Sequence, residues 1–579
     1  MSRAKYLLII LLIILFLIVL TIISFIYFGL TKPPTVKPNT FLELKLTGTI
    51  EEISPPDFLT AKIFGYTPLT MNGIWNNLRK AKVDRRIKGI LLRISYLNCG
   101  WAKVNEIREA LLDFRKSGKK VISYIEEGAD FDKEYYLATA SDKIYLHPLG
   151  LIVINGLGGY FAFYKKALDK LGIKAEFEHI EEYKTAADIF TEEGFTEANR
   201  EMTESILNDH FSIYLETICR ARNKTKDEMM KLINYGFFQG KKALEAGLVD
   251  GLLFEDELRD KLKGENKSLH LISYSQYLRI KPSSLGLETG RKIALIYATG
   301  PIVTGEGSYR IIGASTIARW IRKARKDSSI KAIIFRVDSP GGSAVGSDII
   351  WREIVLAKKK KPFIVSMSDL AASGGYWISM GADEIFAQPQ TLTGSIGVIF
   401  GKFNFAGFYK KIGITAERLT KGERADIFST FRGFTPQERK MIREEIWSIY
   451  DEFLTKVAEA RKMTKEKVNE IGRGRVWTGN QAFKLGLVDH LGGLSDAIKR
   501  AKELAKIPPE EKVKLIIWPK KISLFEVLFG RRNLFSKTKI FVDEETQKII
   551  NYIFPFRKNN FWAIMPYPCL LYTSPSPRD

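Results

Sequence analysis

Two glycine-rich clusters stand where backbone N–H groups could hold a negatively charged oxygen. Asp338-Ser-Pro-Gly-Gly-Ser343 directly follows one short apolar run, and Ala371-Ala-Ser-Gly-Gly375 follows another. Consecutive glycines let the chain turn sharply and let a ligand approach the N–H groups. Pro340 fixes the entry angle of the first cluster. Such N–H groups stabilise the oxyanion of acyl transfer, and Ser373 in the second cluster carries a hydroxyl able to attack a carbonyl. Each cluster alone is also an ordinary turn. Their weight comes from standing together on successive strand ends of one unit.

A serine nucleophile needs a base. The chain has five histidines, His147, His179, His210, His270 and His490, and no Gly-x-Ser-x-Gly elbow. His490 follows Leu-Val-Asp, where a surface or capping role is expected, so a Ser-His-Asp arrangement has little support. A lysine can serve instead when burial removes its proton, because desolvation lowers its pKa from about 10.4 by several units. Glu182-Tyr-Lys-Thr-Ala-Ala187 offers Lys184, with small residues after it. Beside a tyrosine a lysine is usually just solvated, so this candidate needs support from elsewhere in the chain.

That support comes from the elements around it, because the chain is one unit written twice. Asp84-Arg-Arg-Ile-Lys-Gly-Ile matches Asp327-Ser-Ser-Ile-Lys-Ala-Ile, and Leu171-Gly-Ile-Lys-Ala-Glu matches Ile412-Gly-Ile-Thr-Ala-Glu. Tyr135, Ala187-Asp-Ile-Phe, Gly194-Phe-Thr and Ala246-Gly-Leu-Val-Asp recur in the same order as Tyr376, Ala425-Asp-Ile-Phe, Gly433-Phe-Thr and Leu485-Gly-Leu-Val-Asp. A period of about 240 residues is too long for a solenoid and suits a duplicated domain. Each copy alternates β-rich apolar runs with helical periodicity. Ile90-Leu-Leu-Arg-Ile, Val121-Ile-Ser-Tyr, Ile333-Ile-Phe-Arg-Val and Phe363-Ile-Val-Ser read as buried strands, and 104–116 and 349–358 read as helices. Alternating strands and helices imply parallel α/β sheets.

The copies differ at the chemistry. Where the second has Asp338-Ser-Pro-Gly-Gly-Ser, the first has Ser95-Tyr-Leu-Asn-Cys-Gly. Where the second has Ala372-Ser-Gly-Gly, the first has Phe131-Asp-Lys-Glu. Conversely, Gly422 stands opposite Lys184. One copy has the serine and the other the lysine, which a shared site would explain.

Before the first copy, Tyr6 to Leu30 is apolar and uncharged, long enough to span a bilayer as a retained transmembrane helix. The flanking charges are balanced, Arg3 and Lys5 against Lys32 and Lys37. A long following domain is translocated largely regardless of its charge. The expected organisation is a cytoplasmic amino terminus at 1–5, the helix at 6–30, repeats at 31–285 and 286–510 outside the cytoplasm, and an extension at 511–579. The final residues from Leu570 look unlike the rest and are set aside. The formal charge of +23 is spread along the chain without a nucleic-acid motif, so it suits lipid or water rather than nucleic acid. Three distant cysteines, Cys99, Cys219 and Cys569, show no zinc spacing.

Arg336-Val-Asp-Ser-Pro-Gly-Gly-Ser, Ala371-Ala-Ser-Gly-Gly-Tyr-Trp-Ile-Ser, Thr391-Leu-Thr-Gly-Ser-Ile-Gly-Val and Tyr183-Lys-Thr-Ala together resemble the long, duplicated form of the signal peptide peptidase A family. The resemblance runs from the apolar run to about Lys506. It implies two tandem crotonase-like domains, a fold shared with the Clp protease proteolytic subunit. It also implies Ser373 as nucleophile, Lys184 as general base, and Gly341 and Gly374 N–H groups as the oxyanion hole. A homotetramer at the membrane, signal peptides as substrates, and no metal or cofactor are expected on the same ground. Two other readings compete: a non-catalytic membrane scaffold of this fold, and a crotonase-type acyl-CoA enzyme.

Overall fold

The computed structural model describes residues 33–54, 67–126, 132–263 and 268–520, a few residues between 6 and 21, and the strand Trp562–Ile564. The run Tyr6 to Leu30 therefore lies mostly outside the described residues, as do nearly all of 521–579. Among the described residues no helix is long and apolar enough to cross a membrane.

The alternating pattern folds into two mixed α/β units. In the first, parallel strands follow the order Gly251–Leu252, Lys143–Leu146, Lys120–Ile125, Ile87–Asn98, Thr40–Thr49, His270–Ser273. The second repeats this arrangement. Phe363–Ala372, Ile330–Ser339, Lys292–Thr299 and Lys514–Trp518 lie side by side in parallel, with Glu384–Ala387 and Leu392–Gly394 both on the far edge of Phe363–Ala372. The strand Lys514–Trp518 lies beyond the boundary expected at 510. It completes the second sheet as His270–Ser273 completes the first, so the second unit runs through Trp518.

Helices cover both faces of each sheet, which is why the central strands are apolar throughout rather than alternating. Ile330–Ser339 is buried along nearly its whole length. The helix Ala314–Lys326 turns Ile317, Ala318, Ile321 and Ala324 onto this sheet, at the spacing of one helical face. The strands and helices expected within the two repeats form, the helices as Trp101–Arg115 and Ala344–Lys358.

The repeats join in two places. Strand Lys174–His179 leaves the first unit and pairs antiparallel with Ile399–Asn404 of the second. Elsewhere the first unit's helix Trp101–Arg115 and the residues around Glu52 meet the ends of the second unit's central strands, through buried charged groups.

Candidate active site

Strand Phe363–Ala372 ends at Ser373, and helix Gly374–Met380 starts at the next residue. Ser373 has φ 57° and ψ −116°, a conformation that costs a non-glycine residue about 1–3 kcal/mol. Its N–H donates to Gly394 O at 2.8 Å, and its O accepts from Trp377 N–H at 2.9 Å. These bonds hold the turn and keep the serine fully buried.

Lys184 arrives from the other repeat. Beyond strand Lys174–His179, Ile180 N–H donates to Val398 O at 3.1 Å and Tyr183 N–H to Arg473 O at 3.2 Å, so the segment lies along the second unit. Two glycines leave room for it. A Cβ on Gly474, whose φ is 84°, would stand 2.5 Å from Lys184 N, and one on Gly397 would stand 3.2 Å from Lys184 Cδ.

Lys184 Nζ lies 2.9 Å from Ser373 Oγ, 2.9 Å from Ser395 Oγ and 3.1 Å from Ser395 O. The side chain is fully buried, and burial holds its amine well below the ordinary lysine range. Its hydrogen-bond partners are neutral oxygens, and among the described residues no opposite charge offsets the cost of a buried ammonium.

The two glycine clusters touch. A Cβ on Gly374 would stand 3.0 Å from Gly342 N and 3.1 Å from Gly341 Cα, so a larger residue would force them apart. Gly341 has φ 101°, and its N–H donates to Ser339 Oγ at 3.2 Å. The structure thus brings Ser373, Lys184, Gly341 and Gly374 to one place. Beside them the backbone of Trp562–Ile564 runs antiparallel to Gly341–Ser343. This edge accommodates an extended chain.

In the first repeat the equivalent place is filled. Asp132 stands 241 residues before Ser373. Its carboxylate accepts from the Asn155 and Gly156 N–H groups at 3.2 and 3.3 Å, and from Tyr214 OH. Glu134 accepts from Leu97 N–H at 2.6 Å, and Lys133 donates to Cys99 O at 2.8 Å. Here carboxylates occupy N–H groups where the second repeat keeps glycines.

Two features escaped sequence reasoning. Ser395, with φ 50°, sits inside the Thr391-to-Val398 motif, yet nothing in the residue types gave it a contact with Lys184. The other is a buried charge network across the repeats. Lys103 Nζ is 2.7 Å from Asp338 Oδ2 and 3.5 Å from Asp369. Asp369 also accepts from the Gly100 and Lys103 N–H groups at 2.8 and 2.9 Å, capping a first-repeat helix from the second repeat. Asp338 Oδ1 accepts from Leu370 N–H at 3.2 Å. It thereby bridges the strand leading to Gly341 and the strand leading to Ser373. Arg336 pairs with Glu52 at 2.9 Å and Glu106 at 2.6 Å. Burial pushes the Asp338 carboxyl up to about 6, with Lys103 opposing. Burial would lower Lys103, but Asp338, Asp369 and Glu52 outweigh it and hold its amine well above the ordinary range. His490 is structural, 2.8 Å from Glu384 and stacked on Phe386.

The profile of peptidase family S49 matches residues 113–269 and 356–508, one stretch in each repeat. The chain is 38% identical over 459 residues to "Serine protease SPPA, chloroplastic" of Arabidopsis thaliana, which covers 77% of this chain and 68% of that protein. It is 37% identical over 453 residues to "Protease 4" of Salmonella typhi, 75% of this chain and 72% of that protein. "Putative signal peptide peptidase SppA" of Enterococcus faecium is 35% identical over 257 residues, 43% of this chain and 75% of that protein. A serine held in a strained turn against touching glycines, duplicated α/β units and a family match in each of them agree on one assignment: the chain belongs to peptidase family S49 and is a serine peptidase.

Proposed function

We propose that this chain is a membrane-anchored endopeptidase that works through a Ser373–Lys184 dyad and degrades cleaved signal peptides. The observation that carries the dyad is the buried Lys184 amine, 2.9 Å from Ser373 Oγ and depressed by desolvation. The two units are taken as crotonase-like domains, anchored by the apolar run Tyr6 to Leu30 with the repeats outside the cytoplasm.

In this reading, neutral Lys184 takes the Ser373 proton as Oγ attacks the scissile carbonyl carbon. The carbonyl oxygen becomes an oxyanion, held by the Gly341 and Gly374 N–H groups. Gly341 then exchanges its bond to Ser339 Oγ, 3.2 Å long, for one to the stronger acceptor. The Lys184 ammonium gives its proton to the departing amine as the C–N bond breaks. Water, losing a proton to Lys184, then attacks the acyl-enzyme carbonyl, and Lys184 returns that proton to Ser373 Oγ as the acyl C–O bond breaks. Ser395 Oγ and O fix the amine throughout and are the acceptors nearest its transient charge.

An extended substrate would add as a strand along Gly341–Ser343, as the Trp562–Ile564 backbone does. Val345 and Ile349, one turn apart on the following helix, are exposed and offer apolar contacts. A relative carries the name signal peptide peptidase, and an apolar signal peptide fits those contacts. The test is a synthetic signal peptide in lipid vesicles, incubated with the full chain. Wild type should release fragments, and Ser373→Ala and Lys184→Ala should release none. Fragments from Ser373→Ala at the wild-type rate would overturn the dyad. Cleavage of soluble unfolded proteins but never of the vesicle-borne peptide would overturn the substrate class.

A further inference from the structure

Lys184 has no exposed surface, yet the segment that carries it runs along the rim of the junction, with Glu182 exposed two residues before it. A buried amine there needs a cover, and Tyr183 supplies part of one. Tyr183 is buried in a small apolar cluster with Met202, Ile206, Ala372, Leu392 and Val476. Its ring thus joins the first repeat's long helix, Glu197–Arg222, to the end of the strand that leads into Ser373.

Charged groups hold both the hydroxyl and the ring of Tyr183. Tyr183 OH donates to Glu201 Oε2 at 2.6 Å, and Arg475 Nη1 donates to Glu201 Oε1 at 2.7 Å. The same guanidinium stands 4.8 Å from the Tyr183 ring centroid and 4.4 Å from that of Trp477, so cation–π attraction adds to the ion pair. Arg475 also acts through its backbone, where its O accepts from Ser395 N–H at 2.7 Å. Ser395 in turn holds the Lys184 amine through Oγ and O. One arginine is therefore tied to both neighbours of the base, the tyrosine before it in the chain and the serine beside its amine.

The sister copy lacks all three residues. Lys421 precedes Gly422 as Tyr183 precedes Lys184. In the register of the helix caps Thr196 and Thr435, Lys440 stands at the place of Glu201. In the register of strands Phe237–Gln239 and Val476–Thr478, Gly236 stands at the place of Arg475. The aromatic ring, the carboxylate and the guanidinium stand together where the lysine is and are absent together where it is not. Groups needed only to fold the α/β unit would recur in both copies. The layer also brings no counter-ion to the amine. Glu182 pairs with Arg473 at 2.9 Å, Glu201 pairs with Arg475, and Asp188 accepts from Thr196 Oγ1 and Asn199 Nδ2 at 3.1 and 3.2 Å.

The geometry points to Tyr183, Glu201 and Arg475 as a latch across the two repeats that closes over Lys184 and keeps water from its amine. They are positioning residues that act through the base, and the inference rests on the Ser373–Lys184 dyad. With the latch open, water reaches the amine, and the lysine keeps its proton to higher pH.

The test is the pH dependence of kcat/KM for a quenched-fluorescent apolar peptide cut by the detergent-solubilised full chain. The rate falls on the acid side as the base takes up its proton. Glu201→Ala and Arg475→Met should move this limb up by about one pH unit, leaving rates about tenfold below wild type on its acid side and within about twofold above it. Tyr183→Phe, which removes one oxygen and keeps the ring, should move the limb the same way. Glu204→Gln, three residues further along the same helix and exposed, should leave it in place. A limb unmoved in Glu201→Ala and Tyr183→Phe while Lys184→Ala is inactive, or an equal shift in Glu204→Gln, would overturn the latch alone. Wild-type activity in Lys184→Ala would overturn the dyad and the latch with it.

Discussion

A buried neutral lysine has a thermodynamic signature that a merely structural lysine lacks. In the unfolded chain Lys184 has the ordinary value, 10.5, and is charged at pH 7. Removing that proton at pH 7 costs about 5 kcal/mol, 3.5 pH units at about 1.36 kcal/mol each. Lys184→Met fills similar volume without this cost. It also leaves the oxygens of Ser373 and Ser395 without their donor, a loss of about 1–3 kcal/mol. Lys184→Met should therefore be more stable than wild type by about 2–4 kcal/mol at pH 7, while losing activity. The sign of the pH dependence follows. The folded pKa lies below the unfolded one, so between them the unfolded chain binds one more proton and wild-type stability rises with pH relative to the variant. The advantage of Lys184→Met should shrink by about 1.36 kcal/mol per pH unit and reverse by pH 10.5, leaving only the lost hydrogen bonds. Urea unfolding of the two proteins across pH 7 to 10 reads this directly. A difference that stays constant with pH would mean that Lys184 is charged in the fold, and the base assignment would fall.

Two further expectations concern groups around the dyad. Ser395→Ala removes one of the two atoms that fix the amine besides Ser373, so kcat should fall about tenfold with KM unchanged in steady-state peptide hydrolysis; an unchanged kcat would refute an orienting role. Lys103→Met leaves Asp338 and Asp369 buried without their cation and should cost about 3–5 kcal/mol in urea unfolding at pH 7. The deficit should shrink as pH falls toward about 6, because losing Lys103 raises the Asp338 carboxyl further and the variant takes up that proton before wild type does. Undiminished stability of Lys103→Met at pH 7 would refute the network's role.

How much of this was legible in the sequence depends on the range of each interaction. Strand and helix positions were, because apolar periodicity is a local record of burial: Ile333 to Val337 has the residue types of a strand covered on both faces, and is one. The pairing of Ser373 with Lys184 was legible through the family resemblance and through the duplication, which exposed two complementary losses that neither residue type could signal alone. Ser395 was not, since its contact depends on a positive φ in a loop whose path no periodicity encodes. The Lys103, Asp338 and Asp369 cluster was not either. Its members lie up to 266 residues apart, and each reads singly as a surface charge. Lys514–Trp518 looked like a strand but had no visible partner, because the strand it joins begins at Lys292.

In the proposed dyad the base and the nucleophile stand on different repeats, so catalysis depends on how two separate cores sit against each other. Relative displacement by about 1 Å would cost on the order of a hundredfold in rate. Apolar packing alone resists such sliding weakly, because it is non-directional. The interface is fixed instead by groups with direction: Arg336 to Glu52 and Glu106, and Lys103 to Asp338 and Asp369, every pair crossing from one repeat to the other. These residues attach to the same strands that end at Gly341 and Ser373, through Asp338 and its bond to Leu370. On the opposite flank, strand Lys174–His179 fixes the approach of Lys184 by its six-residue register against Ile399–Asn404. Buried ion pairs contribute little net stability compared with apolar replacements. Their retention here is best understood as the cost of holding an amine 2.9 Å from a hydroxyl across a junction between two sheets.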